Sequence, residues 1–112
     1  MFFKSKPGFS SLSMRQAAQE LAQNPSIRLL DVRTPEEHAQ GHIPGSINLP
    51  LNQISQAPRQ LPDKQARLFV YCLSGARSRA AAAQLAALGY TNVVNIGAIT
   101  AWPGSIERKV SA

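Results

Sequence analysis

The stretch Arg67-Leu68-Phe69-Val70-Tyr71-Cys72-Leu73-Ser74-Gly75-Ala76-Arg77-Ser78-Arg79-Ala80-Ala81-Ala82-Ala83 decides how this chain folds. After Arg67 come four apolar or aromatic residues of types that suit a pleated surface, too few for a helix, so Arg67–Tyr71 is predicted as a buried strand that delivers Cys72 at its carboxyl end. From Ser78 to Leu88 alanine and leucine dominate, and Gly89 follows in the usual stop position, which predicts a helix. A strand leading through a short glycine-containing turn into a helix is the opening of a βα crossover, and crossovers imply a mostly parallel sheet.

The flanking sequence repeats this pattern. Upstream, Ser13-Met14-Arg15-Gln16 has the form of a capping box, and Ala17, Ala18, Leu21 and Ala22 follow at helical spacing until Asn24-Pro25. Ile27–Val32 reads as a strand buried on both faces. Thr34-Pro35-Glu36-Glu37 then supplies an N-cap, a proline at the first helical position and acids in the first turn of a helix that Gly41 and Pro44 keep brief. Ser46–Leu49 suits a small strand, and Leu51–Leu61 a helical turn or two interrupted by Pro58 and Pro62. Downstream, Asn92–Ile96 is predicted as a last strand and Gly97–Trp102 as a last short helix before Pro103-Gly104. Alternating strands and helices define a three-layer α/β domain, in which ligands bind beyond the carboxyl ends of the strands. Cys72 stands there.

With 112 residues, 44% of them hydrophobic and 16% charged, the chain has enough apolar material for one core and too little charge for a disordered segment, so residues 1–112 are expected to form one domain. The apolar runs fall far short of the roughly 20 residues that cross a bilayer, so no membrane span is expected. Met1–Pro7 offers basic residues without the apolar run of a signal peptide, and the cytoplasm is the expected compartment. Twelve Lys+Arg against six Asp+Glu make the net charge +6. These cations are scattered from Lys4 to Lys109 with no aromatic residues interleaved, a pattern suited to drawing in small anions or acidic partner proteins and not to nucleic acid. The single cysteine can form no internal disulfide and is too few for a cysteine-based zinc site.

That thiol therefore serves packing or reactivity, and its surroundings favour reactivity. Gly75 allows Cys72–Ser78 to curl so that successive backbone N–H groups point inward. Those donors, the start of a helix and the Arg77 guanidinium favour a thiolate and an anion beside it. The run Cys72-Leu73-Ser74-Gly75-Ala76-Arg77-Ser78 resembles the Cys-x-x-Gly-x-Arg-Ser active-site loop of the rhodanese family of sulfurtransferases. Leu30–His38 and Gly41–Pro50 resemble that family's first signature, and Gly97-Ala98 with Trp102 is similar to its second. The similarity runs from about Phe9 to Trp102, with short extensions at either end. Ala98 stands where the family usually has a second glycine, and the chain beyond Trp102 is short.

The resemblance implies a five-stranded rhodanese-like sheet and a sulfurtransferase that uses no cofactor or metal. Cys72 would attack the outer sulfur of a donor such as thiosulfate and hold it as a persulfide. N–H groups of Leu73, Ser74, Gly75, Ala76 and Arg77 would stabilise the persulfide, and Arg77 would position a small anionic donor, with Ser78 closing the loop. A second molecule, whether cyanide, a thiol or a partner protein, would take the sulfur. The related phosphatase and arsenate reductase loops carry one residue more between cysteine and arginine, which the four residues here do not match. A non-turnover binding or regulatory module and a redox sensor based on Cys72 are the competing readings; intact Cys72, Gly75 and Arg77 weigh against the first.

Asp31 and Arg33 flank a strand end and are expected to lend structural support, as an exposed-edge ion pair or a capping contact. His38 and His42 sit four apart, but Gly41 intervenes and no further ligand completes a metal set, so His42 is expected to be a hydrogen-bonded structural residue. Phe69, Tyr71 and Trp102 are expected in or near the core, with Trp102 a possible wall of the pocket. Leu73, directly after the cysteine, makes the mouth apolar.

Overall fold

The computed structural model of the protein describes residues 8–109, so the expectation resting on Met1–Pro7 lies outside the described residues. Five strands run β1 (Ser10–Ser11), β2 (Arg28–Asp31), β3 (Ile47–Asn48), β4 (Leu68–Cys72) and β5 (Val93–Ala98). The α-helices are α1 (Met14–Gln23), α2 (Pro35–Gln40), α3 (Ala57–Gln60) and α4 (Ala76–Ala87), and 3-10 turns cover Leu51–Gln56 and Ile99–Ala101. The strands order as β1-β5-β4-β2-β3, and every neighbouring pair is parallel. This is the α/β architecture that the alternation of elements predicted.

β4 is the centre of the sheet, and all five of its residues are buried. Because side chains alternate across a strand, Leu68, Val70 and Cys72 face one core with Leu30, Val32, Ala81, Leu85 and Val93. Phe69 and Tyr71 face the other, with Met14, Ala17, Leu29, Ile43, Val94 and Ile96. The first core lies under α3 and α4, the second under α1. Each large apolar side chain so buried contributes roughly 1.5–3 kcal/mol. Cys72 therefore points toward α4, and the periodicity of β4 alone puts its sulfur on the face where the next helix begins.

Local chemistry explains the helix starts. Ser13 caps α1 by accepting the Gln16 N–H at 3.1 Å, while Gln16 Oε1 accepts the Ser13 N–H at 3.0 Å. Thr34 and Glu37 do the same for α2 at 3.2 and 2.9 Å. The segment Leu51–Leu61 forms a 3-10 turn followed by the single turn of α3, and Pro62 prevents continuation.

Four expectations are corrected. The helix expected at Ser78–Leu88 begins two residues earlier, because Gly75 at φ +106° makes the turn by itself and serves as N-cap. The strand expected at Asn92–Ile96 runs on through Gly97 and Ala98, which pair with Tyr71 and Cys72 across a bulge. The helix expected at Gly97–Trp102 accordingly shrinks to the 3-10 turn Ile99–Ala101. Trp102 packs on the α1 core and lines an apolar groove with Leu21, Ile27 and Pro44, so it is no wall of the Cys72 pocket. Beyond these, β1 carries no apolar signal; it exists because the backbone of Ser10-Ser11 pairs with Val94 and Asn95 at the sheet edge.

Candidate active site

Cys72 is the last residue of β4 and its side chain is fully buried. Gly75 adopts a left-handed conformation that side-chain-bearing residues resist, and this bends the loop back so that its own N–H donates to Cys72 Sγ at 2.9 Å. The Ser78 hydroxyl, on the first turn of α4, lies 3.5 Å from the same sulfur. Burial pushes the Cys72 thiol up, but hydrogen bonds from the Ser78 side chain and from the backbone N–H groups of Ser78, Gly75 and Ser74 outweigh it and hold the pKa below that of a free thiol. The sulfur thus sits in a nest of donors that favours its ionised form.

Of the expected loop residues, Cys72, Ser74, Gly75 and Ser78 converge on the sulfur. Leu73 and Ala76 point outward, with Leu73 45% exposed. Beside Leu73 lies a cavity of about 390 Å³ bounded by Ile99 and Ile106 on its apolar side and by Arg33, Glu37 and Gln40 on its polar side. Arg77 bears on Cys72 as a nearby charge, while its side-chain hydrogen bonds go to another partner. Its guanidinium makes a two-pronged ion pair with Glu37 on α2 at 2.7 and 3.0 Å.

Asp31 and Arg33 are corrected from an exposed edge to a buried pair, 0% and 5% exposed. Asp31 accepts the Arg33 backbone N–H and both prongs of its guanidinium at 2.7–2.9 Å, contacts His38 Nδ1 at 2.9 Å and accepts the Tyr71 hydroxyl at 3.2 Å. Arg33 also donates to the carbonyl of Gly41 at 2.6 Å. The pair fastens the ends of β2 and β4 to α2 and its exit, and so positions Glu37 opposite Arg77. His42 is hydrogen-bonded as expected, its Nδ1 donating to the His38 carbonyl at 2.7 Å, and the two rings stack at 3.9 Å.

Two residues escaped the sequence reading. Glu37 was legible as a first-turn acid, but nothing local announces that its carboxylate spans to Arg77, forty positions away. Asn95 was visible only as a polar residue, poorly suited to a strand, inside the run Val93-Val94-Asn95-Ile96. Its Oδ1 accepts the Ser78 hydroxyl at 2.7 Å and the Gly97 N–H at 3.0 Å.

Five parallel strands with helices on both faces, and a loop of backbone donors between the central strand and the helix that follows it, define an α/β protein of the rhodanese fold. Within it, the chain belongs to the rhodanese-like domain family, whose model matches residues 13–104. It is 39% identical over 94 residues to a sulfurtransferase of Allochromatium vinosum, covering 83% of this chain and 87% of that protein. It is also 39% identical over 71 residues to the thiosulfate sulfurtransferase PspE of Escherichia coli, covering 62% and 68%. A solved structure described as a rhodanese with anions from Escherichia coli superposes with a TM-score of 0.69 at 34% identity, over 73% of this chain and 98% of that one. These relatives support a sulfurtransferase function. No helix among the described residues is long and apolar enough to cross a membrane.

Proposed function

We propose that the protein is a thiosulfate- or persulfide-dependent sulfurtransferase that works through a Cys72 persulfide. The observation that carries this is the cradle itself: a Gly75 N–H at 2.9 Å from Sγ, a Ser78 hydroxyl at 3.5 Å and a glycine held in the one conformation that closes the loop. In the first half-reaction the thiolate attacks the outer sulfur of thiosulfate. The new Cys72 S–S bond forms as the donor's S–S bond breaks, and sulfite departs with the electron pair. In the second, an acceptor nucleophile such as cyanide attacks the outer persulfide sulfur, and thiocyanate leaves with Cys72 restored to thiolate. The loop N–H groups hold the charge in both states. Neither half-reaction calls for a cofactor, and with one cysteine in the sequence the sulfur is released to a second molecule, which includes a thiol on an acceptor protein.

Intact mass spectrometry tests this. Incubation with thiosulfate is expected to add one sulfur, about 32 Da, and cyanide is expected to remove it. No gain at saturating thiosulfate or at saturating organic persulfide overturns the reading.

The Arg77–Glu37 pair bears on donor affinity. The Arg77 guanidinium, opposed by partial burial and assisted by Thr34, holds the Glu37 carboxyl down at about 2 from an ordinary 4.5. Glu37 is therefore anionic at any working pH, and it occupies the cation that would otherwise face a dianionic donor. Glu37→Gln is expected to lower KM for thiosulfate about threefold to tenfold by freeing Arg77. The same substitution is expected to cost about 1 kcal/mol of stability at neutral pH, after allowance for solvent screening. Because the folded pKa is depressed, this contribution is complete above about pH 4.5 and is lost as pH falls toward 2, so the gap between variant and wild type in urea unfolding should close across that window.

A further inference from the structure

The Ser78 hydroxyl has one proton and three acceptors within reach: Cys72 Sγ at 3.5 Å, the Gly75 carbonyl at 3.0 Å and Asn95 Oδ1 at 2.7 Å. Only one can receive it at a time. The Gly75 carbonyl already accepts the Arg79 N–H at 3.1 Å, and Asn95 Oδ1 makes the shortest contact of the three. The orientation of the Asn95 amide is set by the chain, since Gly97 donates its N–H to the same oxygen at 3.0 Å and a reversed amide would oppose donor to donor.

This proton count separates the two forms of the cysteine. As a thiol, Cys72 donates its S–H to Ser78 Oγ while Ser78 donates onward to Asn95, and every group is satisfied. As a thiolate, with the S–H proton given up to water, the sulfur gains the Ser78 hydroxyl only if that hydroxyl turns away from Asn95. Asn95 therefore competes with the thiolate for a single proton. Its position is a consequence of the sheet: Val93 packs on the α4 side, and Asn95, two residues on, shares that face. The bulge opposite Val70 and Tyr71 follows immediately.

We propose that Asn95 is a positioning residue that sets the thiolate share of Cys72, and hence the pH range in which the site is active, by holding the hydroxyl of Ser78. The inference takes from the proposed function only that Cys72 is the reactive thiol. The ionisable groups on the elements around the sulfur are Arg77 and Arg79 on α4, Glu37 and His38 on α2, Tyr71 on β4 itself, Asp31 on the adjacent β2 and Arg33 after β2. β5 and the 3-10 turn Leu51–Gln56 carry none. Arg77 is paired with Glu37, and Arg33 and His38 with Asp31, so replacing Asn95 leaves that charge pattern in place.

The test is a pH titration of thiolate absorbance and of the alkylation rate with iodoacetamide, neither of which needs a sulfur donor, so its outcome is independent of whether thiosulfate is turned over. Asn95→Leu releases the Ser78 hydroxyl and is expected to move the midpoint down by about one pH unit. Well below the midpoint, that shift increases the thiolate tenfold and, since a less basic thiolate is less nucleophilic, the alkylation rate about threefold. Asn95→Asp keeps the acceptor for Gly97, so the bulge is retained if the leucine variant does not fold, and its carboxylate grips Ser78 harder; the midpoint is expected to rise. In a Ser78→Ala background the leucine shift should vanish and the aspartate shift should shrink to its through-space remainder. Shifts of equal size in both backgrounds, or no shift in either variant, overturn the proposal.

Discussion

Cys72→Ser is expected to remove sulfur transfer altogether, with turnover falling by at least about 10³-fold and no mass gain on exposure to thiosulfate. Serine is the closest steric substitute, and its hydroxyl can still accept the Gly75 N–H. What it lacks is the chemistry: an alcohol remains protonated where the cradle favours ionisation of a thiol, and oxygen forms no stable counterpart of a persulfide. Cys72 is fully buried between β4 and α4, so one atom changes in a packed site and the loss in stability is expected to stay near 1 kcal/mol. Thermal unfolding lowered by no more than that small loss, with absent turnover, therefore assigns the defect to the sulfur. Retained turnover would mean that transfer does not pass through this residue.

Asp31→Asn is expected to cost about 3–5 kcal/mol, most of the stability of a domain this size, although the substitution changes only one atom and a charge. Arg33 stays charged, because the neighbouring carboxylate more than offsets its burial. Deprived of that carboxylate it becomes a cation 5% exposed to solvent with no anion bonded to it, left with the Gly41 carbonyl, the single amide oxygen of the variant and the face of the Tyr71 ring. The Tyr71 hydroxyl and His38 lose an acceptor as well. Removing both charges together, as in Asp31→Leu with Arg33→Met, is expected to recover much of the loss, since a paired deletion leaves nothing unpaired. Urea unfolding of the single and double variants checks this; a single variant within 1 kcal/mol of wild type would show that the pair does not anchor the fold. Although burial opposes it, the Arg33 side chain and backbone with His38 hold the Asp31 carboxyl below its ordinary 3.8. Its contribution is therefore complete above about pH 3.8 and is lost as pH falls from there through the depressed folded value.

The legible parts were those encoded locally. Ser13 announces its capping box, and Thr34 its N-cap, within four residues. The apolar run at β4 and the alanine-rich run after it specify strand and helix with no reference to the rest of the chain. The Cys72–Ser78 loop was readable because its glycine and arginine recur at fixed spacing from the cysteine. β1 was not readable: Ser10-Ser11 has no side-chain pattern, and its existence depends on the exposed edge of β5. Gly97-Ala98 looked like a helix start and became a strand, because pairing with Tyr71 and Cys72 outweighs local preference.

By itself the sequence determined the α/β class, from the alternation of elements along the chain, and the strand that delivers Cys72 together with the glycine that curls the loop after it, which rest on residues within about a dozen positions of one another. The tertiary structure alone decided the electrostatics. Whether Arg77 faces the donor or Glu37, whether Asp31–Arg33 is exposed or sealed, and which oxygen claims the proton of Ser78 depend on partners brought from elsewhere in the chain. A side chain's charge is written in the sequence, but the energy of that charge is set by distance and burial, and those exist only once the sheet has assembled.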